Sequence, residues 1–391
     1  MSGMGFRMEN DAVARKVRAG PKRSVVQMRK AILAGVAVML GLSGCSAASG
    51  TFIDPGAATQ AVALPAIEDL KQRPVLNYQG AVTNLGGTGT IATVDIDVTN
   101  TGIFQGDAVV GSVEAKVYGM QEAFLVRAPE KFWTGYGIDG SYSETIDGKL
   151  TQIDPDRGIN PSEELLPGAY VEALEVALAD AQTLDIALPE AIDRDGVSVY
   201  PLAVGDGTVH VTTEEPFTVV AVERVLVTLP SGPATLSVDV AGVDRTYVED
   251  LQSELVDTVG DWSTVYDNGL SLSLTESDPD FKCDNADFSC KASTKVTAAF
   301  SSGYNLADRV KITMKADIDG GSLGKKKCDK EKSGDIDEKV TVSCTVKFTP
   351  STGEFTIEPN WTVSGVATFK PEVGEWTQAL EDEFSAVLAA Y

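Results

Sequence analysis

Ile91-Ala92-Thr93-Val94-Asp95-Ile96-Asp97-Val98 sends Val94, Ile96 and Val98 to one side of the chain and Asp95 and Asp97 to the other. A period of two is the signature of a strand with one dry and one wet face. Antiparallel sheets packed on a core through one face read this way. The segments 75–83, 108–117 and 123–127 continue the series, with Gly119 expected in a turn between the last two. Together they predict an antiparallel meander.

Before the meander, residues 61–72 place Val62, Leu64, Ile67 and Leu70 near one side of a short amphipathic helix that Pro74 ends. After it, Asn160-Pro161-Ser162-Glu163-Glu164 has the Pro and acids of a helix start. Pro167-Gly168 is expected to interrupt that helix. Tyr170, Leu174 and Leu178 then recur at helical spacing to about Ala181, beside Val171. Residues 197–204, 208–213, 217–228 and 234–243 read as strands. Residues 249–259 read as a helix with Leu251, Leu255 and Val259 on one face.

From about residue 262 the composition changes. Leu270, Leu272 and Leu274 alternate with serines; Val310, Ile312, Met314, Ala316 and Ile318 alternate with polar residues. Val340, Val342, Cys344, Val346 and Phe348 do the same, as do Trp361, Val363, Ala367 and Phe369. Thr349-Pro350-Ser351-Thr352-Gly353 marks a hairpin turn. Residues 376–391 suit a closing helix with Leu380, Phe384 and Leu388 in line. The expected class is α+β, with a domain over 61–260 and a second, mainly antiparallel β domain over 262–391.

The amino terminus carries an address. Met28-Arg29-Lys30 precedes an apolar run, 31–42, that ends in Leu42-Ser43-Gly44-Cys45. Such a run rises about 20 Å as a helix, short of a roughly 30 Å hydrocarbon core. It reads as an export signal, and Leu-Ser-Gly-Cys resembles the bacterial lipobox. That resemblance implies diacylglyceryl transfer to Cys45 and cleavage before it. Residues 1–44 are then a signal peptide with an extension, Met28 is the expected start, and 45–60 form a flexible tether. The expected site is the extracytoplasmic face of the cell membrane.

Removing residues 1–44 takes 8 of the 32 Lys and Arg and 2 of the 57 Asp and Glu, leaving 24 against 55 and a mature charge of −31. Such acidity repels nucleic acid and anionic head groups. Membrane attachment therefore rests on the lipid at Cys45. The other cysteines, Cys283, Cys290, Cys328 and Cys344, suit two disulfides in an exported chain. Three pairings are open; Cys283–Cys290 with Cys328–Cys344 is preferred because each closes a local loop. The spacings do not suit zinc.

No catalytic set emerges. His210 is the single histidine, in Thr208-Val209-His210-Val211, and reads as an outward strand residue. There is no nucleophile elbow. Asp154-Pro155-Asp156-Arg157-Gly158 departs from a calcium loop. Asp278, Asp280, Asp284 and Asp287 read as a solvated acidic loop around the first cysteine pair. Gly86-Gly87-Thr88-Gly89 lacks phosphate-loop spacing. The protein is expected not to be an enzyme and to need no cofactor or metal. Phe132, Trp133 and Tyr136 form an aromatic cluster that suits either a core plug or a cavity mouth.

An ordered set of features runs through 61–260: Gly80; Gly102 to Gly106 and Gly111; Phe124-Leu125-Val126-Arg127-Ala128-Pro129-Glu130 leading to Phe132-Trp133; Asn160 to Pro167; and Glu215-Pro216-Phe217-Thr218-Val219-Val220. In that order they resemble the actinobacterial LppX/LprG-type lipoproteins and the wider LolA-like half-barrels. The resemblance implies a curved antiparallel half-barrel with helices on its concave side and an apolar cavity for acyl chains. The expected lining is Val94, Ile96, Val98, Val113, Val117, Leu125, Trp133, Tyr170 and Leu174. The expected function is binding of a lipid or lipoglycan for transport or presentation. The alternative is a non-catalytic envelope scaffold whose partner is another envelope protein.

Overall fold

The computed structural model describes residues 55–83, 91–120, 123–154, 165–180, 188–229, 232–301 and 305–391. Leu42–Cys45, Gly86–Gly89, Asn160–Glu164 and most of Asp154–Gly158 lie outside them. The chain is α+β. Helix α1 (Pro55–Gln72) leads into strands β1 (Val75–Thr83), β2 (Ile91–Thr99), β3 (Phe104–Val110), β4 (Val113–Met120) and β5 (Ala123–Arg127). Short helices α2 (Glu130–Gly135) and α3 (Gly140–Thr145) precede β6 (Leu150–Ile153) and α4 (Pro167–Asp180). Then come β7 (Ile192–Arg194), β8 (Val197–Val204), β9 (Gly207–Thr212), β10 (Val219–Leu229), β11 (Gly232–Gly242) and α5 (Arg245–Gly260).

These strands form an antiparallel run in the order β6-β5-β4-β3-β2-β1-β11-β10-β9-β8-β7. The two-residue period decides what each face meets. Leu76, Tyr78 and Val82 of β1, and Ala92, Val94, Ile96 and Val98 of β2, join one cluster with Val62, Ile67 and Leu70 of α1, Trp133 of α2, and Tyr170, Val171 and Leu174 of α4. The opposite face supplies Val75, Ile103, Tyr118, Met120, Leu125 and Leu150 to a second cluster under α5. Helices therefore cover both faces. Each fully buried large side chain contributes about 1.5–3 kcal/mol.

The sheet continues past residue 260. β12 (Val265–Asp267) pairs parallel with β6 through Tyr266 and Thr151, and antiparallel with β18 (Glu358–Phe369) through Val265 and Phe369. β15 (Arg309–Asp319) and β16 (Lys325–Asp335) extend it to 15 strands. A separate sheet, β13 (Leu272–Asp284), β14 (Ser289–Phe300) and β17 (Lys339–Lys347), packs on β16-β15-β18 through a third cluster that includes Ala292, Val296, Ile312, Met314 and Val342. The result is a two-sheet sandwich at one end of the long sheet. Cys283–Cys290 staples the β13–β14 hairpin, and Cys328–Cys344 ties one sheet to the other. The last helix, α6 (Val373–Leu388), leaves the sandwich and lays Leu380, Phe384 and Val387 against α5.

Several local expectations change. Helix α1 starts at Pro55, inside the expected tether, because Pro suits the first helical turn. Leu64 is 59% exposed: at about 100° per residue it falls outside the arc shared by Val62, Ala63, Ala66, Ile67 and Leu70. Pro167 is the first residue of α4, and the helix start expected at Asn160–Glu164 lies outside the described residues. The β3–β4 turn is at Gly111-Ser112, where Gly111 has φ +67°, and Gly119 lies within β4. A Cβ on Gly119 would meet the Phe104 ring at 1.9 Å, so glycine is kept there by packing rather than by a turn.

Candidate functional site

The layer between α1, α4 and the sheet brings together most of the residues expected to face one interior. Val94, Ile96, Val98, Val117, Trp133, Tyr170 and Leu174 all belong to the first cluster. Leu125 lies on the opposite side, in the cluster under α5, because Phe124 and Val126 hold the α1–α4 side of β5. Val113, the first residue of β4, is only half-buried.

At the centre of the layer Tyr78 of β1 meets Tyr170 of α4 edge to face, with ring centroids 5.1 Å apart. Both residues have 0% exposure, and among the described residues neither hydroxyl has a hydrogen-bond partner. Burial drives both phenols well above their ordinary pKa, with Tyr170 adding to the shift on Tyr78. They are neutral at any physiological pH, able to donate one hydrogen bond and accept others. A buried polar group without a partner costs about 1–3 kcal/mol. Two of them side by side are the strongest chemical anomaly of this layer. The tyrosine at 78 was legible only as an alternating strand residue, since an orphaned hydroxyl has no sequence signature.

Trp133 is different. Its indole N–H donates to the Ala128 carbonyl at 3.0 Å, and its ring is fully buried. Phe132 meets it edge to face and stacks on Tyr136 at 6.2 Å, both half-buried. Trp133 is therefore a core plug, and Phe132 and Tyr136 form the rim beside it.

The opposite face of the strands is more polar and less wet than expected. Asp97 is 8% exposed. Its carboxylate accepts from the Tyr247 hydroxyl at 3.1 and 3.0 Å and from Asn77 Nδ2 at 3.0 Å. Desolvation outweighs these bonds and raises its pKa. His210 also faces this side, opposite the buried Val209 and Val211, yet it is only 4% exposed. Its Nε2 lies 3.4 Å from Glu223 Oε1. The Arg194 guanidinium bridges Glu223 and Asp239, the latter at 2.7 Å. Its hydrogen bond is the main cause holding the Glu223 carboxyl below the usual range. This is a structural clamp tying β7 to β10 and β11.

The acids near the first disulfide are engaged locally. Asp278 pairs with Lys295, Asp280 with Lys282, and Asp284 accepts from the Ala286 amide. Among the described residues, no group of three or more His, Cys, Asp or Glu is placed to hold a metal ion. Among them, too, no helix is long and apolar enough to cross a membrane.

No family model and no curated protein matches the chain. Among solved structures, a chain of the Pseudomonas aeruginosa MucA/MucB complex is similar over 82% of this chain and 96% of its own, at 11% identity and a TM-score of 0.21. A likeness of that strength carries no argument about fold or function.

Proposed function

We propose that this is a lipid-anchored extracytoplasmic lipoprotein whose sheet curves as a half-barrel and holds a hydrophobic ligand, a lipid or lipoglycan, beneath α1 and α4. The observation that carries the reading is the pair of unpartnered hydroxyls on Tyr78 and Tyr170 within an otherwise apolar layer. A ligand with an apolar body and a hydrogen-bonding atom would satisfy both groups where water is excluded. Two glycines favour the curvature. A Cβ on Gly80 would lie 2.3 Å from the Ser237 carbonyl oxygen, and one on Gly106 2.2 Å from that of Asp95. Such close backbone approach marks bends in curved sheets.

The lipobox at Leu42–Cys45 supports attachment at the membrane, and the role is carriage or presentation rather than catalysis. The test is native mass spectrometry of the mature chain purified without the Cys45 lipid. A bound species that organic extraction removes is expected, with acyl probes taken up afterwards. A ligand-free mass together with no probe uptake would refute the reading. A second reading is an envelope scaffold that works through its C-terminal sandwich. It is favoured by lysines on one face of that sandwich that, among the described residues, have no ion-pair partner.

A further inference from the structure

The sandwich has two outward faces, and they treat charge differently. The 87 residues from Leu272 to Glu358 hold 13 of the 32 Lys and Arg, whereas the 200 residues 61–260 hold 10. On the outward face of β15 and β16 the cations Arg309, Lys311, Lys315, Lys325 and Lys327 are matched in number by Asp317, Asp319, Asp329, Glu331 and Asp335, and four of the five are ion-paired across strands. Arg309 pairs with Asp335, Lys311 with Glu331, Lys325 with Asp319 and Lys327 with Asp317, at 3.0–3.6 Å. A face that is merely solvated has every reason to look like this.

The β13-β14-β17 face does not. Its outward positions are Ser273, Thr275, Ser277, Asp280, Lys282 and Asp284 on β13. On β14 they are Ser289, Lys291, Ser293, Lys295, Thr297 and Ala299, and on β17 Lys339, Thr341, Ser343, Thr345 and Lys347. Lys282 and Lys295 are paired, with Asp280 and Asp278. Among the described residues, Lys291, Lys339 and Lys347 have no carboxylate within ion-pair distance, and all three are exposed. Lys282 sits directly opposite Lys291, next to the cross-strand Cys283–Cys290 bridge that fixes the register. Like charges directly opposite are destabilising. Lys347 is opposite Ser289, one diagonal step from Lys291, or about 7–8 Å away.

We propose that this face binds a linear anionic polysaccharide. The ammonium groups of Lys291, Lys347 and Lys339 meet its acidic groups, and the surrounding rows of Ser and Thr hydroxyls meet its sugar hydroxyls. Every outward residue of the face is Ser, Thr, Lys, Asp or Ala. With no aromatic platform for neutral sugars, charge selects the partner. The cations stand out against a formal net charge of −25 for the whole chain, so the docking surface is local.

Polygalacturonate is the probe, offered to the unlipidated mature chain at low salt by calorimetry. Binding is expected that weakens with added salt. Lys291→Gln with Lys347→Gln should lower affinity about tenfold, or about 1.4 kcal/mol. Lys291→Arg with Lys347→Arg should retain it. Lys311→Gln with Lys327→Gln, the same charge change on the other face, should leave it within about twofold. Neutral dextran should not bind. Equal loss in the two Gln pairs, dextran binding as tightly, or no binding at low salt would overturn the proposal. So would capture by phosphatidylglycerol vesicles in place of the polysaccharide.

Discussion

Replacing Tyr78 and Tyr170 by Phe should stabilise the empty protein and weaken the loaded one. Each substitution removes one oxygen and leaves the ring in place. Both hydroxyls are fully buried and unbonded, so each native side chain bears an uncompensated desolvation of about 1–3 kcal/mol. Taking the lower end, each Tyr→Phe change should raise the unfolding free energy of delipidated protein by about 1 kcal/mol. The rings touch at 5.1 Å, so the double variant should gain less than the sum. Urea titration followed by tryptophan fluorescence reads this as a rise in midpoint at unchanged slope. A ligand stabilises by RT ln(1 + [L]/Kd). Without the two hydroxyls to bond it, added lipid should stabilise the double variant by about 1–2 kcal/mol less than the native protein. Destabilisation of the empty protein by more than about 0.5 kcal/mol in both single variants would mean that the hydroxyls are bonded, and the reasoning about this layer would fail.

Five further outcomes are expected. Tyr247→Phe removes the hydroxyl that bonds both Asp97 oxygens and should cost about 1 kcal/mol at pH 7, discounted from a buried charged bond because Tyr247 is 43% exposed. Since burial raises the folded pKa of Asp97, its contribution to stability is fullest below its unfolded value near 3.8 and is lost as pH rises through the folded value; Asp97→Asn should gain on the native protein between pH 4 and 7, and a constant difference across pH-dependent melts would contradict this. Opening Cys328–Cys344, with a sequence separation of 16, by paired Ala substitution should cost about 3 kcal/mol, and opening Cys283–Cys290, with a separation of 7, about 2, read by denaturant unfolding. Gly80→Ala should destabilise by about 3 kcal/mol or abolish soluble expression, because its Cβ would collide with the Ser237 backbone; a neutral result in thermal melts would argue against that close approach. Cys45→Ala should leave the chain unlipidated, either uncleaved or released, and tight membrane retention of a cleaved variant would contradict the lipobox reading.

Local physics made part of this fold legible in the chain itself. Alternation identified β2, β15, β17 and β18, because each has one face on a core and one toward water or polar partners. Helical spacing found Leu251, Leu255 and Val259 of α5 and Leu380 and Phe384 of α6. Short separations in the chain picked the observed disulfide pairing. The tertiary structure decided everything that depends on a second surface. In β5, Ala123, Phe124, Leu125 and Val126 are all buried, since helices cover both sides there. A strand covered on both faces reads as a continuous apolar run, so nothing local could send Leu125 away from the α4 side. Asp97 and His210 alternate as wet-face residues, yet Tyr247 and the Arg194–Glu223 pair close over them from distant segments. The parallel joint at Tyr266–Thr151 and the return of α6 to α5 are likewise pairings between segments remote in sequence. The orphaned hydroxyls of Tyr78 and Tyr170 are the sharpest case. A tyrosine announces a ring to bury, but whether its oxygen finds a partner is fixed only when strand and helix come together.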